Sequence, residues 1–138
     1  MVFAGINYLA VLVAAVGGWL LGAAWYALLG NTWMAAVGKT KADPVGPSGK
    51  HSPIPFVLSF VALVVMAAVL AEFISYLGPA TTQEGITVGF LAWLGFVITS
   101  MGVNHAFTSQ KPALTAIDGG HWLAVLLLQG AVIGAFGS

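Results

Sequence analysis

The sequence predicts an all-α membrane protein in which four transmembrane helices form an antiparallel bundle. Of its 138 residues, 59% belong to the hydrophobic set and only 6% are charged, whereas a soluble domain carries about a quarter charged residues. Four segments each contain the roughly 20 apolar residues that a helix needs to cross the hydrocarbon. Between them lie stretches of glycine, proline and polar residues, which are typical of turns and loops.

The predicted spans form one membrane domain, residues 1–138. Their limits are about 6–29, 54–77, 85–107 and 113–136, with a polar cytoplasmic loop at about 38–53. Gly78 and Pro79 end the second span, and Thr81 followed by Glu84 predicts a capping box at the start of the third. The first apolar run is longer than the core of a signal peptide and has no cationic region before it. We therefore interpret it as a retained span.

The lysines predict the orientation, because loops on the cytoplasmic side of a membrane retain positive charge. All four fall in the first and third loops, which an even number of spans places on one face: Lys39, Lys41, Lys50 and Lys111. We expect a multi-pass protein of the inner (plasma) membrane with both termini non-cytoplasmic. Trp25, Tyr26 and Trp33, near the cytoplasmic end of the first span, fit an interfacial aromatic belt.

Several classes of function are disfavoured by residues that the sequence lacks. It contains no arginine and four lysines, too few cations to hold a phosphate backbone, so no nucleic-acid partner is expected. It has no cysteine and therefore no disulfide or thiolate chemistry. The spacings typical of zinc peptidases, phosphate loops and serine hydrolases are also missing. We predict that the protein is not an enzyme and has neither catalytic nor metal-binding residues.

Small residues recur at helical spacing in three of the four predicted spans. In the first span they form a stripe at every fourth residue, Ala10, Ala14, Gly18 and Gly22. The third span begins with Gly85 and Gly89, and the fourth ends with Gly130 and Gly134. Because water expulsion does not drive helix association in lipid, small residues favour close packing there. The stripes indicate packing within one protomer or an interface between protomers.

Polar residues inside the spans are the candidate functional site, because a charge near the centre of a bilayer is costly to insert. Asp118 and His121 lie three residues apart on one face of the fourth span. An antiparallel third span brings Asn104 close to their depth, and Tyr26 of the first span lies at a similar depth. The four residues predict a polar cluster that is either a hydrogen-bonded clasp or a ligand, proton or ion site.

Two further residues suggest other chemistry. Glu72 lies near the outer end of the second span, where it would either reach water or, like Asp118, act as a proton or ion site. His105 lies near the inner end of the third span. It is an interfacial histidine or, like His121, a ligand for a pigment or haem, so the cofactor remains open.

The order of several motifs resembles a bacterial family of small four-span membrane proteins, domain of unknown function 1761. The motifs are Asn7 to Val11, Gly22 to Tyr26, Gly89 to Phe96, Asn104 and Phe107, Ile117 to His121, and Gly130 to Gly134. The resemblance covers nearly the whole chain and implies the four-span fold, with no established activity, substrate or cofactor. Two departures are Gly120, where the family pattern has tyrosine, and Phe136, where tryptophan is more frequent.

These observations favour a non-enzymatic membrane protein that acts by packing. Its expected partners are the lipid bilayer and either other membrane subunits, for which it would be an accessory subunit, or further copies of itself in a homo-oligomer. A small proton- or ion-coupled transporter or channel is one alternative. A pigment- or haem-binding membrane subunit is the other.

Overall fold

The computed structural model describes residues 2–39 and 52–137. These ranges contain no strand and four helices that are long and apolar enough to cross a membrane. They are Tyr8–Val37, Ile54–Ser75, Thr82–Phe107 and Pro112–Phe136, the first to fourth spans below. Each span packs antiparallel to the span that follows it in the chain. The predicted all-α fold with four membrane-spanning helices is therefore confirmed.

The first and third helices extend beyond the predicted apolar spans. The first continues about two turns further, to Val37, because Gly30 lies inside the helix and the terminating glycine is Gly38. Gly38 has a φ of 83°, and its N–H donates to the Met34 carbonyl. The third helix begins at Thr82, because Thr81 and Glu84 form the predicted capping box immediately before it.

The fourth span is the central helix of the bundle. It packs extensively against the third and first spans and also contacts the second, whereas the first and third spans do not pack against each other. In its most apolar stretch 44% of the residues are buried inside the protein, against 6% in the third span. Most of the third span is therefore a surface of the bundle.

The third span contains a π-helical segment, Trp93–Val97, in which the Ile98 N–H donates to the carbonyl of Trp93. Such single-turn insertions change which side chains a helix presents to its neighbour. Gly85, Gly89 and Trp93, at intervals of four, face the fourth span. Ile98, five residues after Trp93, also faces it, with its Cδ1 beside Gly119. The π segment thus resets the contact face halfway along the span.

Two lysines lie at one end of the bundle, which we call the lysine end. Lys39 follows the first span, and Lys111 precedes the fourth. The Lys111 Nζ donates to the Ala35 carbonyl over 3.4 Å, close to the end of the first span. These two lysines therefore share one face, as the four-span threading requires. Lys41 and Lys50 lie outside the described residues.

Candidate functional site

Glycines join the third and fourth spans at the end of the bundle opposite the lysine end. We call Gly85, Gly89, Gly130 and Gly134 the glycine seam; all four are buried. A Cβ added to Gly85 would overlap the Gly130 carbonyl oxygen, and one added to Gly130 would overlap that of Gly85. The two backbones are therefore in direct contact. The seam is a packing interface within the protomer.

The small residues of the first span also face the interior. Ala14 is fully buried. A Cβ on Gly18 would lie 3.2 Å from the Leu63 Cδ2 and 3.4 Å from the Gln129 Nε2. A Cβ on Gly22 would lie 3.0 Å from the His121 Nε2. The stripe predicted from the sequence thus packs against the second and fourth spans of the same chain.

Polar and aromatic groups join the first and fourth spans nearer the lysine end. The Tyr26 hydroxyl donates to the Asp118 Oδ1 over 2.6 Å, and the Trp25 Nε1 donates to the Ile117 carbonyl over 3.1 Å. The Tyr26 ring centroid lies 5.1 Å from that of His121. We call Trp25, Tyr26, Asp118 and His121 the polar clasp. Tyr26 contacts both Asp118 and His121 and thereby links them in one cluster.

His121 occupies a box of aromatic rings. Its ring centroid is 4.6 Å from that of Trp122 and 6.5 Å from that of Trp25, in addition to its contact with Tyr26. The side chain is only 8% exposed, and its Nδ1 is buried without a hydrogen-bond partner. The absence of a side chain at Gly22 leaves room for Nε2. An imidazole with an unpaired buried nitrogen is costly in apolar surroundings and requires an explanation.

The structure does not bring Asn104 into this cluster. Its side chain is exposed on the third span, and no hydrogen bond joins it to Tyr26, Asp118 or His121. The third span does not pack against the first, and after the π segment it is His105 that faces the fourth span. Asn104 thus lies on a face of the third span that points away from the cluster, and the π segment, which changes this face, is not marked in the sequence.

His105 belongs to a separate region at the lysine end. Its Nδ1 lies 2.7 Å from the Thr115 Oγ1 of the fourth span. The pair borders an open groove of about 440 Å³ whose other lining residues include Gly102, Ala106 and Gln110. His121 faces the first span instead. The two histidines considered as pigment or haem ligands therefore do not share a site.

Glu72 lies at the opposite end of the bundle from Asp118 and is 8% exposed. Its Oε2 accepts a hydrogen bond from the backbone N–H of Phe3 over 3.0 Å, and the Tyr8 hydroxyl donates to the Phe3 carbonyl. Glu72 thus ties the N-terminal segment to the second span, and it does not join Asp118 in one proton or ion site.

Three residues of the interior were not among the predicted site residues. The Trp93 Nε1 donates to the Gly119 carbonyl over 2.8 Å, as Trp25 does to Ile117. Gln129 is fully buried, and its Nε2 donates to the Leu63 carbonyl over 3.1 Å while its Oε1 has no partner. A buried indole N–H requires an acceptor. That requirement makes Trp25 and Trp93 candidates for hydrogen bonds between helices. The sequence, however, does not distinguish buried tryptophans from those at the membrane boundary.

Four helices that are long and apolar enough to cross a membrane, with a polar cluster between two of them, define a multi-pass membrane protein. The chain matches the family described as a protein of unknown function, DUF1761, over residues 9–134, and it belongs to this family. The match spans parts of all four helices, so it covers both the glycine seam and the polar clasp. No curated protein and no solved structure matches the chain.

The departure at Gly120 has a structural counterpart. A Cβ at this position would lie 3.0 Å from the Cζ2 of Trp25, a partner of the polar clasp. A larger side chain there would therefore require the Trp25 indole to move. The glycine allows Trp25 to approach the fourth span and to donate its hydrogen bond to Ile117.

Proposed function

We propose that this protein is a non-enzymatic membrane subunit that binds another transmembrane helix along its third span. The bound helix belongs either to a second copy, in a homo-oligomer, or to a larger membrane complex in which this chain is an accessory subunit. The observation that carries the proposal is the exposure of small residues on the third span. The small-residue stripes of the first, third and fourth spans pack inside the protomer, so the proposed partner surface is this different face.

The third span packs mainly against the fourth span and contacts the second more sparsely. The fourth span covers Gly85, Gly89 and Trp93, and the rest of the helix is largely exposed. Four small residues follow at intervals of four, three and four: Gly95, Thr99 and Ala106, which are exposed, and Gly102, which is half-buried. A Cβ added to Gly95 or Gly102 would meet no atom within 4 Å. The stripe therefore has the close-packing residues of a helix interface. Gly102 and Ala106 border the groove beside the fourth span, but no described atom occupies the space next to Gly95 or Gly102.

Asn104 adds a polar group to the same part of the third span. It is exposed, three residues before the helix ends at Phe107, and within the described residues its side chain makes no hydrogen bond. An amide in or near the hydrocarbon is stabilised when another helix supplies a partner. Thr99 is different, because its hydroxyl already donates to the Gly95 carbonyl. Asn104 is thus the side chain that gains most from a neighbouring helix.

Native mass spectrometry after extraction in a mild detergent tests this proposal. Wild-type protein is expected to carry a second copy or another membrane protein. Gly102→Leu should release it, because the added side chain blocks close approach of a helix. The matched control is Gly30→Leu, which also adds leucine at a glycine with no atom within 4 Å of its Cβ position, but on the first span.

The outcomes separate the two forms of the proposal and its failure. A homo-oligomer that dissociates in Gly102→Leu and persists in Gly30→Leu supports self-association, and a second membrane protein lost in the same pattern supports an accessory subunit. A monodisperse, unaccompanied wild-type monomer contradicts both. So does an assembly that Gly102→Leu and Gly30→Leu affect equally.

We also propose that the lysine end of the bundle faces the cytoplasm and that both termini lie on the other side of the plasma membrane. The support is the distribution of lysines, since Lys39 and Lys111 lie together and the opposite end carries Glu84. Because the chain has no cysteine, single cysteines can be labelled without background. An impermeant maleimide should label Gln83→Cys in intact cells and Gln110→Cys only after permeabilisation. The reverse pattern would contradict the orientation.

A further inference from the structure

The polar clasp contains more polar chemistry than a helix contact requires. A single hydrogen bond from Tyr26 to Asp118 and one from Trp25 to the fourth span already join the two helices. His121 adds an imidazole whose buried Nδ1 has no hydrogen-bond partner. The residue is only 8% exposed. An apolar residue of similar size would fill the aromatic box at lower cost. The packing therefore does not explain why a histidine is present.

Asp118 and His121 complement each other chemically. They lie three residues apart on one face of the fourth span, and Tyr26 contacts both, through its hydroxyl and its ring respectively. A carboxylate can accept a proton and an imidazole can accept or donate one, and two such groups in a low-dielectric site titrate as a pair. Asp118 is only six residues from the start of the fourth span, about 9 Å along the helix, and is half-buried. Water at the lysine end is therefore close to it.

Other titratable groups are positioned away from the pair. From the first span only Tyr26 faces it, and from the second span Glu72 lies at the far end, bound to the Phe3 N–H. From the third span His105 is occupied by Thr115. Lys39 and Lys111 are exposed at the lysine end. Among the described residues, no further ionisable side chain therefore faces Asp118, His121 and Tyr26.

We infer that Asp118, Tyr26 and His121 form a proton-binding site. The Asp118–His121 pair takes up one proton from water at the lysine end and returns it there, while the Tyr26 hydroxyl hydrogen-bonds the carboxylate. No other bond is made or broken, and no co-reactant is needed. The site is independent of the partner surface on the third span, so either proposal stands if the other fails.

Nitrogen-15 NMR of the full chain in phosphatidylcholine and phosphatidylglycerol vesicles tests the inference. The chain has three histidines, so selective labelling gives few ring-nitrogen signals, and their shifts report protonation directly. His121→Gln identifies the signals of His121 by their loss. In wild type these signals should show a protonation change within the pH range over which the helical circular dichroism is constant.

Two variants and a control determine whether the pair titrates as one unit. In Asp118→Asn the transition should move to lower pH, because the imidazolium loses a neighbouring negative charge. In Tyr26→Phe, which keeps both groups, it should also move to lower pH but by less, because the carboxylate loses a hydrogen bond that favours its ionised form and so offers the imidazolium less negative charge. Glu72→Gln, which removes a different buried carboxylate, should leave the transition of His121 where it is.

Two results would overturn the inference. His121 signals that do not change over the whole range would show that the imidazole takes up no proton. A transition at the same pH in wild type, Asp118→Asn and Tyr26→Phe would show that it titrates alone. If Asp118→Asn does not fold, Tyr26→Phe by itself decides between a coupled pair and a lone histidine.

Discussion

The fourth span is joined to its two main neighbours by opposite means. Against the third span, the glycine seam brings two backbones together by having no side chains between them. Against the first span, the polar clasp fills the contact with a phenol, an indole, a carboxylate and an imidazole. The seam lies at the end opposite the lysines, and the clasp lies nearer the lysine end.

The difference lies in how each contact tolerates change. In the seam, an added atom meets a carbonyl group of the neighbouring helix, which has no rotamer with which to move away. In the clasp, each hydrogen bond is one of several contacts, and interhelical hydrogen bonds in membranes contribute about 0.6 kcal/mol on average and about 1.7 at most. We therefore expect the seam to determine whether the bundle forms and the clasp to adjust its stability and chemistry.

The largest effect is expected in the seam. Gly85→Ala should lower the free energy of unfolding by about 3 kcal/mol or more, because the new Cβ overlaps the Gly130 carbonyl oxygen. The measurement is unfolding in mixed micelles of a mild detergent and sodium dodecyl sulfate, followed by circular dichroism.

Gly30→Ala is the control for this prediction. It makes the same change inside the first span, where a Cβ meets no atom within 4 Å. It should be neutral or stabilising by up to about 1 kcal/mol, since alanine is the better helix former. Equal destabilisation of both variants would mean that the backbones of the seam can separate at little cost.

An intermediate effect is expected in the clasp. Tyr26→Phe should cost about 1 kcal/mol, because it removes the hydrogen bond to Asp118 and retains the ring against His121. A double-mutant cycle with Asp118→Asn, measured by the same unfolding assay, isolates the pair. A coupling energy near zero would show that this 2.6 Å contact does not stabilise the bundle.

The smallest effect is expected from the indole that the third span inserts beside the seam. Trp93→Phe should cost about 0.6 kcal/mol, because it removes the hydrogen bond to the Gly119 carbonyl and leaves most of the apolar contact. Trp19→Phe, at an exposed position where the ring lies nearly perpendicular to that of Phe60, should change stability less. If Trp93→Phe matches Gly85→Ala in effect, the seam and this indole act as one unit.

Much of the fold could be predicted from single residues and their neighbours. The four spans, the capping box at Thr81 and the termination of the second helix near Gly78 follow from local composition. The site could be predicted only in part. Tyr26, Asp118 and His121 are recognisable as ionisable or polar groups in apolar segments, whereas the neighbours of Asn104 and the hydrogen bond of Trp93 are not evident from the sequence.

The sequence alone determined that lipid is the solvent of this chain, because apolar runs of sufficient length have no other stable environment. Only the tertiary structure decided which faces of the helices meet. The π segment at Trp93–Val97 shifts the contact face of the third span, and no local pattern marks it. Glycines also carry no sign of what they contact: Gly85 meets a backbone, Gly22 an imidazole and Gly102 no atom within 4 Å. The physical reason is that helix formation depends on neighbours in the chain, whereas helix packing depends on surfaces brought together from distant segments.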